Sequence, residues 1–511
     1  MANKAGVAEA PFNNLLSSDI VIRTSDNIDF HLHKAILSIA SPFFNDMFTL
    51  PQPFPKSEDL TADPIVVSED SQTMDGLLRL CYPVDDPIMT DLHIVGNILE
   101  AATKYLMGQP IKLATIAMQP FVETHPLQVY AIACRLKQEK LAGQAAGSWK
   151  RQRIVIPGSE DFESTVGGAS YIPEMAHISS GAYSRLVKYL LSPKEPAVKP
   201  TFQFCENTAI SRRGKPHKLE TTNSPYYAYM QELMQDADLV VRASDGFDFR
   251  VHKLVLDLSS AGSIVKLLDD EFPEYANGLP VVHVDIERQT LGEILRLCYP
   301  WNHTELKNIS AIRAASLAAG KYNITKVIEE MKRQLLQLAE TLPVPVHFLS
   351  VELGWMEVAQ KAAKYSIALD IEHQYTPTME HVPADAYYRL IKYHHACRTI
   401  ITQIVIQHAP TAGLVKWPSR AWLSLLDSTL PVASFPIVWD ELFKAQNKKV
   451  PCPNPSVSTM TPDVSTTDSN PVDTCVALYN TTWQRSTFLQ IEIQNKLRKV
   501  NIFIECNSSR P

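Results

Sequence analysis

Asp19-Ile20-Val21-Ile22-Arg23-Thr24-Ser25-Asp26, near the start of the chain, returns as Asp238-Leu239-Val240-Val241-Arg242-Ala243-Ser244-Asp245, at an offset of 219 residues. Further blocks repeat behind it. Leu80-Cys81-Tyr82-Pro83 comes back as Leu297-Cys298-Tyr299-Pro300, and Glu123-Thr124-His125-Pro126 as Glu340-Thr341-Leu342-Pro343, both at an offset of 217. Tyr183-Ser184-Arg185-Leu186-Val187-Lys188-Tyr189 reappears as Tyr387-Tyr388-Arg389-Leu390-Ile391-Lys392-Tyr393 at an offset of 204. An offset held this nearly constant through four blocks means one structural unit used twice. The copies run over about 19–191 and 238–398, and the first carries a longer insertion near Trp149–Gly168.

Within a copy, strands come first and helices after. Ile20 and Ile22 alternate with Val21 and Arg23, as a strand with one buried face requires. Asp26-Asn27 and Asp245-Gly246 tolerate positive φ and read as hairpin turns, with Phe30 and Leu32, or Phe249 and Val251, on the returning strands. His33-Lys34 and His252-Lys253 then open an apolar helix. Ser41-Pro42 places a capping hydroxyl before a first-turn proline, and Phe43, Phe44, Met47 and Phe48 are expected to form a packed helix face. A short β run follows at 64–67 or 280–284. Met74, Leu77, Leu78 and Cys81 fall at helical spacing, as do Leu291, Ile294, Leu295 and Cys298, and Tyr-Pro closes both helices. From about Asp91 to Leu141, and from about Lys307 to Val358, the pattern is helical throughout. Three strands followed by packed helices make each unit α+β and mainly helical.

Composition narrows the function. The 511 residues leave room for roughly three domains. Hydrophobic residues make up 45% and charged residues 20%, an ordinary globular balance. The net charge of -7 offers no basic footprint for nucleic acid. No apolar run is long enough to span a bilayer, and the first residues lack the pattern of a secretory signal, so a cytoplasmic or nuclear location is expected. The eight cysteines lie far apart, as buried reduced thiols would.

Enzyme signatures are missing. Glycine is scarce at 18 residues, and neither a phosphate-cradling loop nor an HExxH or GxSxG motif occurs. No catalytic, cofactor-binding or metal-ligating residue is assigned. His394-His395-Ala396-Cys397 points its side chains about 100° apart on a helix, so they do not converge on one ion. His31 and His33 share a strand face, but His33 and His252 hold matching repeat positions, which favours a structural role.

The order Asp19, strand, turn, Phe30-x-x-His33-Lys34-x-x-Leu37, then Ser41-Pro42-Phe43-Phe44, then a helix ending in Tyr82, resembles the BTB/POZ domain. The Leu-Cys-Tyr-Pro ending and the Arg-Leu-x-Lys-Tyr block look like the large fungal branch of that family. The second copy departs at Ala261-Gly262-Ser263, which stands where the first has Pro42-Phe43-Phe44. What the resemblance implies is protein–protein interaction: a tandem scaffold, with a substrate adaptor on a cullin-type ubiquitin ligase or a nuclear corepressor-recruiting regulator as alternatives. It also implies a charged pocket formed by Asp19 with Lys34 and by Asp238 with Lys253. The simpler alternative for those aspartates is a hydrogen-bonded, buried carboxylate that fixes the strand start. Phe272-Pro273-Glu274 fits the hydrophobic-x-Glu motif of adaptors of this kind.

The expected domain order is an N-terminal arm (1–18), a BTB/POZ-like domain (19–141), a helical extension with the insertion (142–195) and a linker (196–225). A second BTB/POZ-like domain with a lead-in helix (226–358), a second helical extension (359–445), a Pro/Ser/Thr-rich linker (446–475) and a C-terminal helix (476–511) follow. Tyr226, Tyr229, Met230, Leu233 and Met234 line one face of that lead-in helix. They are expected to carry an intramolecular contact between the two BTB-like domains, favoured over pairing between chains by the high effective concentration that one chain imposes.

Overall fold

The computed structural model describes residues 5–50, 64–153, 166–192, 202–206, 236–260, 264, 274–299, 305–306, 308–367 and 369–408. They divide between two compact units. The first draws on Met1–Gly158, Ser170–Ile178 and Tyr189–Glu206, the second on Ser159–Ala169, Ser179–Lys188 and Asn207–Pro511. The lead-in segment 226–234, residues 261–263, Phe272 and everything beyond His408 lie outside the described residues.

In the first unit, β2 (Ile20–Arg23) and β3 (Ile28–Leu32) form an antiparallel hairpin with Ile20 opposite Leu32. Asn27 turns it with φ of 64°. β4 (Ile65–Val66) lies parallel to β2 on its other edge. A fourth strand extends the expected three: β1 (Gly6–Val7) comes from the N-terminal arm and runs parallel to β3. The arm is therefore part of the fold, and Phe12 within it is buried in edge-on contact with Tyr82.

In the second unit, β5 (Leu239–Arg242) and β6 (Asp248–Val251) pair in the same register, with Leu239 opposite Val251, and Gly246 turns them at a φ of 79°. β8 (Leu279–His283) runs parallel to β5, as β4 does to β2. Here the fourth strand sits on the other side of the sheet: β7 (Tyr275–Ala276) pairs with β8 across a turn at Asn277-Gly278, both at positive φ. Arg23 bridges to Asp29 across the first hairpin at 2.7 Å, and Arg242 bridges to Asp248 across the second at 2.6 Å.

The helices repeat as well. Ser71–Arg79 buries Met74, Leu77 and Leu78, and Arg288–Cys298 buries Leu291, Ile294, Leu295 and Cys298. Asp91 caps Leu92–Lys104 through His93 N–H and Ile94 N–H, and Asn308 caps Ile309–Lys321 through Ser310 N–H. Left-handed residues follow at matching places, Leu106 with Asn323 and Lys137 with Gly354. Pro126–Arg135 then packs on Glu139–Gln152, and Pro343–Glu352 on Met356–Ser366. Leu141 and Val358 lie within the second helix of each pair. Short 3₁₀ turns at Pro173–His177 and Pro377–His381 precede the helices Ser180–Leu191 and Ala384–His408.

The expected helix face of the first unit is buried unequally. Of Phe43, Phe44, Met47 and Phe48, only Phe44 is buried; Phe43 is 43% exposed and rests edge-on against it. Met47 and Phe48 are half-buried and pack on the same core, where the Tyr105 ring stacks on Phe44 at 5.1 Å. No described helix is long and apolar enough to cross a membrane.

Candidate interaction surface

In both units the strand-to-helix junction is built around an aspartate and a tyrosine. Asp19 Oδ1 accepts the main-chain N–H of Lys34 at 2.7 Å, and Asp238 Oδ1 accepts that of Lys253 at 2.6 Å. Each carboxylate satisfies one of the unpaired N–H groups that open the helix. The lysine ammonium groups play no part: among the described residues no ion pair joins Asp19 to Lys34 or Asp238 to Lys253. All four residues are exposed. Both aspartates thus act as repeated helix caps, hydrogen-bonded as one reading of the sequence expects, but at exposed rather than buried sites. Lys34 Nζ lies 6.0 Å from the Phe48 ring centroid instead.

From the other side, Tyr82 OH accepts the main-chain N–H of His33 at 2.9 Å, and Tyr299 OH accepts that of His252 at 2.9 Å. Burial pushes both phenols up to about 12, against the pull of these N–H groups, so they stay neutral. The His252 ring also meets this phenol, with Nδ1 3.0 Å from Tyr299 OH. His31 is buried on β3, and His394 bonds through Nε2 to Ser366 Oγ at 2.8 Å. Among the described residues, no cluster of three or more His, Cys, Asp or Glu is arranged to hold a metal ion. The five described cysteines are unpaired; burial pushes Cys81 up to about 11 and Cys397 to about 12. Such thiols are poor nucleophiles near neutral pH.

The helices opened by these caps present apolar side chains to solvent. Leu37 is the buried residue of Lys34–Ala40, while Ile39 is 88% exposed. Lys253–Ser260 buries Leu256 and Ser260, and leaves Leu254 and Leu258 exposed one turn apart. Ile39 and Leu258 hold the same repeat position. Sequence reasoning passed over them, although both sit two places beyond the core leucine, where a lone surface helix would carry a polar residue.

Glu274, the last residue of the adaptor-like motif, is described. Its carboxylate accepts from Arg242 Nη1 at 2.5 Å and lies 2.8 Å from His283 Nε2. The hydrogen bond to His283, then that to Arg242, holds its pKa below the ordinary carboxylate value. A cleft of 520 Å³ in the first unit is lined by His93, Phe121, His125, Arg135 and His177 among others, but Arg135 is taken by Glu100 at 2.7 Å.

Residues 9–120 match the family model of the BTB/POZ domain. That stretch of the chain is a BTB/POZ domain. It begins earlier than the sequence repeat suggested, taking in buried Phe12, and ends in the helix Gln119–Thr124. The BTB/POZ domain is a protein–protein interaction module. No curated protein matches the chain.

Proposed function

We propose that this protein is a non-enzymatic interaction scaffold made of two BTB/POZ-like units in tandem, the second spanning about 226–358. The observation that carries the reading is the pair Ile39 and Leu258, exposed at one repeat position on the first helix of each unit, with the BTB/POZ match covering the first. In the second unit Leu254 and Leu258 expose neighbouring apolar side chains on one helix, the kind of surface an interaction site uses. The shared hairpin register, the Arg–Asp cross-strand pairs, the aspartate caps and the tyrosine–histidine contacts support a second unit of the same kind. The engagement of Glu274 with Arg242 and His283 favours the scaffold over the cullin-adaptor reading, since a partner would have to break both contacts.

The test is affinity capture with mass spectrometry on the full chain and on Ile39→Asp, Leu258→Asp and the double variant. Partners held by the wild-type chain should drop out with the substitutions while the melting midpoint stays put. A partner set indifferent to both substitutions would sink this surface. A cullin among the retained partners would shift the reading to the adaptor, and a corepressor to the nuclear regulator.

A further inference from the structure

The second unit includes pieces of the first repeat. The helix Val166–Ala169 and the segment Ser179–Lys188 pack with the second repeat's own extension, including its helix Ala384–His408. The contacts link equal repeat positions, 204 residues apart. Ser179 forms an antiparallel bridge with Pro383. The rings of Tyr183 and Tyr387 meet edge-on at 5.6 Å. Their hydroxyls make equivalent bonds, Tyr183 to the carbonyl of Gly167 and Tyr387 to that of Ile371 at 3.0 Å, and positions 167 and 371 are again 204 apart. Contact between equal positions is the mark of a two-fold interface.

The symmetry is broken at a buried ion pair. Glu380, whose side chain is only 5% exposed, forms an ion pair with Arg185 and accepts from Ser179 Oγ at 2.6 Å and Tyr375 OH at 2.9 Å. Burial opposes its ionisation, but these partners, Arg185 foremost, hold it below the ordinary carboxylate value. The first repeat has Ala176 at this position. Gly181 makes the space: a Cβ there would run into the Glu380 carboxylate. Its counterpart in the second repeat is Asp385, which pairs with Arg389 at 2.8 Å.

Pairing of like with like would fail in both combinations. Two first repeats would set Ala176 opposite Arg185 and so lose the ion pair that Glu380 supplies. Two second repeats would drive Glu380 against Asp385, where Gly181 now leaves room. Loss of a buried ion pair and abutting carboxylates both disfavour an interface. We infer that Gly181, Arg185 and Glu380 form a specificity key that pairs the extension of the first repeat with that of the second within one chain, and excludes pairing of equal extensions between chains. The key is independent of which partner the protein binds.

The experiment inserts a protease site after Lys215 in the full chain and cuts it once the protein has folded. The fragments should remain together at micromolar concentration and co-elute at the mass of the intact chain; prompt separation would overturn the inference. Glu380→Gln removes the charge and should weaken the association of the fragments about tenfold or more. Gly181→Asp should part them. Gly181→Asp with Glu380→Ala should bring them back, because it gives both positions the residues of the opposite repeat, Asp385 and Ala176, and so removes the clash. An association unchanged by Glu380→Gln, or a double variant no better than Gly181→Asp alone, would overturn the key.

Discussion

The phenol of Tyr82 and the main-chain N–H of His33 are hydrogen-bonded at 2.9 Å across 49 residues, and they tie the end of the Ser71–Arg79 helix to the point where β3 becomes a helix. Tyr299 and His252 repeat the bond across 47 residues. Removing one hydroxyl strands an N–H at a half-buried site, which costs about 1–3 kcal/mol. Tyr82→Phe and Tyr299→Phe should each lower stability by that amount in denaturant titration, and a change under about 0.3 kcal/mol would show that water replaces the phenol.

The aspartate caps separate a main-chain role from a charge role. Asp19→Ala should cost about 1 kcal/mol, the usual loss of an N-terminal cap. Lys34→Met should leave stability within about 0.5 kcal/mol of wild type, because only the lysine N–H is used. Equal losses in chemical denaturation would mean that the ammonium matters after all.

Leu78 and Leu295 occupy matching buried positions on Ser71–Arg79 and Arg288–Cys298. Truncation to alanine should cost about 2–5 kcal/mol at either site. Calorimetry of each variant should show a lowered midpoint, and an unchanged one at both would contradict the burial of these side chains.

His347 gives a pH signature. Burial, with a further push from Arg389, lowers its pKa from 6.5 to about 4, although the Ala359 carbonyl accepts from Nδ1 at 2.9 Å and pulls the other way. Between pH 6.5 and 4 the unfolded chain takes a proton that the folded chain refuses. Stability from this group is therefore complete above pH 6.5 and falls as pH drops, by up to about 3 kcal/mol at pH 4. Unfolding free energies of wild type and His347→Gln, measured across that range, should converge as pH falls. Parallel curves would show that His347 titrates normally.

Much of the architecture was legible in the sequence because its signals are local. Period-two alternation marked β2 and β5, helical spacing marked Met74–Cys81 and Leu291–Cys298, and turn chemistry marked Asn27 and Gly246. The repeat gave these readings twice, so the hairpin and the helices behind it were open to reasoning from residues alone. The resemblance to a BTB/POZ domain, read over 19–141, is matched at 9–120. The strand Gly6–Val7 was not, since two residues carry no periodicity.

Tertiary structure alone decided which atoms meet. Asp19 and Lys34 were paired by type in the sequence, but the folded backbone brings the carboxylate to an N–H rather than to the ammonium. Ile39 and Leu258 could have been core residues until the helix rotation, set by Leu37 and Leu256, turned them to solvent. Arg185 and Glu380 lie 195 residues apart, and no sequence period spans that distance. Their pairing follows from how the chain returns on itself, because Gly181 leaves a space that only a side chain brought there by the fold can fill.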